Sequence, residues 1–91
     1  MTTRHLLIHG RVQGVGYRYA LEAMAHSLHL HGWVRNRLDG TVEAVLQGPE
    51  ESVAALIAWA KQGPPTADVS KVDVEDHPSI EQRGFLRQPT A

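Results

Sequence analysis

The run Gly10-Arg11-Val12-Gln13-Gly14-Val15-Gly16-Tyr17-Arg18 holds the chemistry most readily legible in this chain. Its three glycines permit backbone conformations that a Cβ resists, so such a loop can turn several N–H groups inward. A helix that starts directly after it adds unpaired N–H donors and a positive end of roughly half an elementary charge. Together these form a nest for an anion, and a phosphoryl group suits it. Arg18 falls at the helix start, from where its guanidinium can fold back and offer a fork of donors to two phosphate oxygens. At about 1.5 to 3 kcal/mol per hydrogen bond to a charged group, a few amides plus Arg18 hold phosphate at micromolar to millimolar strength. The spacing alone equally permits a plainer arrangement, with the glycines serving a tight crossover and Arg18 a solvated first-turn residue. Nucleotide motifs do not fit: the Walker pattern needs Gly-Lys before Ser or Thr, and the dinucleotide pattern needs a third glycine where Tyr19 stands.

The elements that must position this loop can be read on either side of it. Leu6, Leu7 and Ile8 between His5 and His9 predict a strand over residues 5 to 9 that stops at Gly10. From Tyr17, the positions Ala20, Leu21, Met24, Ala25 and Leu28 fall on one helical face, with Gly32 where a C-terminal cap belongs. Trp33 and Val34 open a second strand, Asp39-Gly40 supplies a turn, and Val42, Ala44 and Leu46 alternate along a third. Pro49, Glu50 and Glu51 mark a helix start, followed by Val53, Leu56, Ile57 and Ala60, with Lys61 and Gly63 at its end. Gly63-Pro64-Pro65 is a loop, because the residue before a proline is driven to extended geometry. Val72 and Val74 alternate with charged residues in a fourth strand, and Phe85-Leu86 starts a fifth. The order β-α-β-β-α-β predicts an α+β, ferredoxin-like split β-α-β sandwich: an antiparallel sheet with two helices on one face.

The 91 residues suit one domain spanning 1–91, and an apolar fraction of 42% suffices for one helical layer on one sheet. Nine Lys plus Arg against ten Asp plus Glu give a net charge of -1, no field for a polyanion. One Phe, two Tyr and two Trp are too few for the stacked platform of an RNA-binding sandwich, so no nucleic-acid partner is expected. The absence of Cys removes disulfides, thiolate metal sites and a cysteine nucleophile. Residues 1–10 carry no pattern of a secretory signal and no stretch reaches membrane-spanning length, so a cytoplasmic, monomeric protein is expected. Among six histidines, His26, His29 and His31 invite a metal reading, but His26 and His29 flank the apolar stripe and His31 lies beyond it; no metal is expected.

Gly10 to Arg18 closely resembles the signature of the acylphosphatase family, Gly-x-Val-Gln-Gly-Val-Gly-Phe-Arg, with Tyr17 in place of Phe. Gly32-Trp33-Val34-Arg35-Asn36, continuing through Asp39-Gly40-Thr41-Val42-Glu43, resembles a second family motif, and Gly63 to Val69 a third. The resemblance implies a sandwich of the kind just described and a metal-free, cofactor-free hydrolase of carboxyl-phosphate anhydrides, releasing a carboxylate and inorganic phosphate. It also implies roles: Arg18 binds the phosphoryl group, the backbone amides of Gln13, Gly14, Val15, Gly16 and Tyr17 assist, and Asn36 orients the attacking water. By itself Asn36 reads equally as a turn residue bonding its own backbone, although an amide offers both acceptor and donors to a water. Thr41 is a candidate to hold the Asn36 amide in place, although a strand threonine more often serves simply as sheet surface. The C-terminal third departs most from the family, and the register of its last strand is open.

Such a reaction needs little machinery. Phosphoryl transfer runs through a loose transition state, so positioning and charge stabilisation do most of the work. A carboxylate leaving group, whose conjugate acid has a pKa of roughly 4, requires no general acid at neutral pH. With no Cys and no carboxylate pair in the motif, direct attack by water is the simple route. The rival from another class is a regulatory module whose cradle holds phosphate without hydrolysing it.

Overall fold

A computed structural model describes all residues 1–91. The elements run β1 (Thr2–Arg11), α1 (Tyr17–Ser27), β2 (His31–Asn36), β3 (Val42–Gly48), α2 (Glu50–Ala60), β4 (Asp68–Asp76) and β5 (Phe85–Arg87). The sheet order is β4-β1-β3-β2-β5. β1 pairs antiparallel with β3 and β4, and β2 antiparallel with β3, which places the two β-α-β halves interleaved as the split topology requires. The fifth strand departs from a purely antiparallel sheet: β5 pairs parallel with β2, Gly32 opposite Phe85, so the sheet is mixed.

Strand alternation decides which face is buried. Leu6 and Ile8 of β1, Val34 of β2, and Val42, Ala44 and Leu46 of β3 form one core with Tyr17, Leu21 and Ala25 of α1 and Val53, Leu56 and Ala60 of α2. Both helices therefore cover the same face. The opposite face presents Thr3, His5, Arg35, Glu43 and Gln47, and is partly roofed by the chain after β4: Gln47 bonds both the N–H and the carbonyl of Ile80.

The end of α1 differs from its sequence reading. The helix stops at Ser27, and His29 takes the left-handed position at φ 56°. Leu30 N–H then reaches Ala25 O (2.9 Å) and His29 N–H reaches His26 O (3.1 Å), the paired bonds of a Schellman ending. Gly32 is not the cap. It lies inside β2 at φ 135°, where a Cβ would sit 1.9 Å from the Val45 carbonyl oxygen, so close approach of β3 is what demands glycine there.

Candidate active site

The loop between β1 and α1 adopts the conformation that its glycines allow. Gly14 (φ 72°) and Gly16 (φ 82°) are both left-handed with open space where a Cβ would be, so the backbone angle, not crowding, selects glycine. Gly16 is also the N-cap of α1, and no side chain caps the helix. None of the N–H groups from Gln13 to Tyr19 donates to another group of the chain. Seven consecutive donors at a helix start constitute a strong local positive potential.

Three tethers hold this loop in place. Gln13 Nε2 donates to the carbonyls of Arg37 and Thr41, both at 2.8 Å, tying the loop to the β2–β3 turn. Thr66 Oγ1 donates to Val15 O at 2.6 Å from the far side. Tyr17 is buried, its ring 5.6 Å from that of Trp59, and its hydroxyl donates to Ala60 O at 2.7 Å. Burial drives the Tyr17 phenol far above its ordinary pKa, so it stays a neutral donor joining α1 to the end of α2. The hydroxyl that distinguishes this residue from Phe thus has a partner of its own.

Loop, helix start and β2 enclose a cavity of about 130 Å³. Gly14, Gly16, Tyr17 and Arg18 line it from one side and Asn36 from another. At roughly 30 Å³ per liquid water, the space admits a phosphoryl group and little more. Gln13 and Val15 do not line it; their parts are the tethers just described, with their amides left unpaired. Val12, Tyr19 and Arg87 line it without having been singled out in the sequence. No carboxylate faces the cavity, and its cations are Arg18 and Arg87. Arg4, Arg35, Arg37 and Arg87 each pair with a carboxylate, whereas Arg18 pairs with none. Elsewhere, no three His, Cys, Asp or Glu side chains converge as a metal-ligand set. His26 Nε2 donates to Phe85 O (3.0 Å) and His31 Nδ1 accepts from Gly84 N–H (2.8 Å), so both secure β5.

Asn36 is the last residue of β2, opposite Val42. Its backbone carbonyl accepts from Ala91 N–H at 3.0 Å. Its side-chain Oδ1 is buried and has no hydrogen-bond partner, so the self-bonded turn reading does not hold. Thr41 does not support it either, because the Thr41 hydroxyl donates to Asp39 Oδ1 at 2.6 Å in a local turn.

What fixes the strand around Asn36 is Glu43. This carboxylate, about 10% exposed, takes Arg35 Nε at 2.7 Å, Arg37 Nη1 at 3.2 Å and His5 Nε2 at 2.6 Å. Burial alone would raise its pKa, but hydrogen bonds from His5, Arg35 and Arg37 outweigh it and hold the group at about 2. A carboxyl depressed in the folded state stabilises fully above its unfolded value of about 4.5 and loses that contribution as pH falls through about 2. Denaturant titrations of wild type and Glu43→Gln should therefore show a stability gap that shrinks by about 3 kcal/mol between pH 6 and 2. A gap constant over that range would assign Glu43 no role in acid stability.

Comparison with known proteins now places this geometry. The acylphosphatase family model matches residues 4–86. The chain belongs to the acylphosphatase family. It is 51% identical over 88 residues to an acylphosphatase of Acidovorax sp. (strain JS42), covering 97% of this chain and 91% of that one. An acylphosphatase of Thermococcus kodakarensis is 59% identical over 71 residues, covering 78% of each chain. Among solved structures, an acylphosphatase from Bacillus subtilis superposes with a TM-score of 0.92 at 36% identity, covering 97% of this chain and 99% of that one. The α+β sandwich with its mixed five-stranded sheet thus matches the fold of solved acylphosphatases.

Proposed function

We propose that this chain hydrolyses acyl phosphates by direct attack of water, with Arg18 and the loop amides gripping the phosphoryl group and Asn36 placing the nucleophile. The observation that carries the reading is one small cavity lined by an unpaired arginine, a run of unpaired amides and an asparagine with an idle buried oxygen. An oxygen acceptor without a partner suits a water O–H, which leaves that water's lone pair free for phosphorus. As the P–O bond to the acyl group breaks, its electron pair leaves on the carboxylate. The new bond forms to the water oxygen, and the water's proton passes to a phosphoryl oxygen. Donors fixed around the phosphoryl oxygens meet the transition-state charge without reorganising.

The same proposal has a single-domain monomer acting in the cytoplasm on a small-molecule acyl phosphate, with no cofactor and with neither nucleic acid nor membrane as partner. Its net charge of -1 supports the nucleic-acid part, and no helix is long and apolar enough to cross a membrane.

Benzoyl phosphate is the direct test substrate, with inorganic phosphate as competitor. The purified chain should hydrolyse it and be inhibited competitively by phosphate. Because no histidine or carboxylate lines the cavity, kcat should carry no enzymic ionisation between about pH 6 and 8. Absence of turnover would overturn the function. A pH limb that disappears when one histidine is replaced would overturn the water-only mechanism.

A further inference from the structure

The phosphoryl reading accounts for Arg18 but leaves a second cation in the same cavity. Arg87 belongs to β5, outside the residues 4–86 that the family model matches, so membership of the family assigns it nothing. Its guanidinium is held from two sides. Nε lies 3.1 Å from Glu22 Oε1, and Cζ stands 5.3 Å from the centre of the Tyr19 ring. Glu22 does not line the cradle. It lines an adjoining hollow of about 320 Å³ that Tyr19 and Arg87 also border, with Ala23 and His26. Tyr19 and Arg87 therefore stand at the boundary between the cradle and a groove along α1. The pairing with Glu22 fixes Arg87 from the groove side, while its two terminal amino groups bond nothing in the chain and the side chain keeps 45% of its surface.

An acyl phosphate seated with its phosphoryl group in a cavity of this size must carry its acyl group out of it. We propose that Tyr19 and Arg87 form the subsite for that acyl group and make the enzyme prefer acyl phosphates whose acyl part bears a second carboxylate. The inference rests on the hydrolase reading above and names the substrate class within it. The carboxylate would meet the free fork of Arg87 in bidentate fashion, and Tyr19 would give the intervening carbons an apolar face. Partial exposure limits the gain, since water and salt screen such a pair.

The test compares kcat/KM for benzoyl phosphate with 3-carboxybenzoyl and 4-carboxybenzoyl phosphate, whose rigid rings place the second carboxylate at two distances. At low ionic strength, the full chain should prefer at least one carboxylated substrate by about five- to tenfold. Arg87→Gln should abolish that preference, Arg87→Lys should restore part of it, and about 0.5 M salt should erode it in the wild type. A merely structural role for Arg87 would lower all three substrates in step and leave their ratio intact, which overturns the proposal. So does a wild-type enzyme that hydrolyses benzoyl phosphate but shows no preference. Failure to hydrolyse any of the three would instead strike the hydrolase reading.

Discussion

Arg18→Ala should lower kcat/KM for benzoyl phosphate by about 10³-fold and weaken inhibition by inorganic phosphate in parallel. Two hydrogen bonds from a guanidinium to phosphoryl oxygens contribute about 1.5 to 3 kcal/mol each, and every 1.36 kcal/mol is tenfold in rate. Arg18 makes no ion pair, unlike Arg4, Arg35, Arg37 and Arg87, so its removal breaks no internal partnership. Unfolding stability should stay within about 0.5 kcal/mol of wild type. Arg18→Lys keeps the charge but loses the planar fork, so it should recover only part of the rate. Because the phosphoryl group carries charge in ground and transition states alike, KM and the phosphate inhibition constant should both rise. Steady-state kinetics with phosphate inhibition checks this, and an Arg18→Ala enzyme with unchanged kcat/KM would remove Arg18 from the site.

Arg18 was legible in the sequence because its argument is local. A glycine loop, a helix start and an arginine one residue inside it are contiguous, and their physics needs no distant partner. The core faces were legible for the same reason, through period-two and helical spacing, as in Leu6 and Ile8 or Leu21 and Ala25. Gly32 was misread because a helix cap and a close strand approach both demand a glycine, and only the position of the Val45 carbonyl decides between them. His29 filled the cap position although residues with a Cβ seldom adopt that backbone.

Arg87 was not legible because it depends on β5, whose three residues have no periodicity to detect. That strand is placed from a distance by His26, His31 and Gln82, which bonds the Gly32 carbonyl, and by parallel pairing with β2. The part of Thr41, open in the sequence between supporting Asn36 and plain sheet surface, is decided by a local rule: Asp39 stands two residues before Thr41 and accepts from both its N–H and its hydroxyl. Asn36 lies between these cases. Nothing in its spacing marks it, and the sequence offered it only through a family motif; the physical sign, an idle buried oxygen, exists only in three dimensions.

That idle oxygen sets the second large expected effect. Asn36→Ala should lower kcat by about 10² to 10³-fold, the range seen when one positioned amide is removed from a transition-state site. Phosphate should still inhibit the variant with a constant within about twofold of wild type, since Arg18 and the amides remain. Stability should stay within about 0.5 kcal/mol of wild type, because Asn36 Oδ1 accepts no hydrogen bond from the rest of the chain and its removal breaks no internal partnership. The backbone bond from Ala91 to the Asn36 carbonyl and the pairing with Val42 do not involve the side chain and should persist. Loss of turnover with undiminished phosphate binding and undiminished stability separates a water-placing residue from a structural one. It also separates the hydrolase from a phosphate-holding module, which has no use for that oxygen. A variant that keeps its kcat, or that loses rate only because it unfolds, would take Asn36 out of the mechanism and leave the cradle as a binding site.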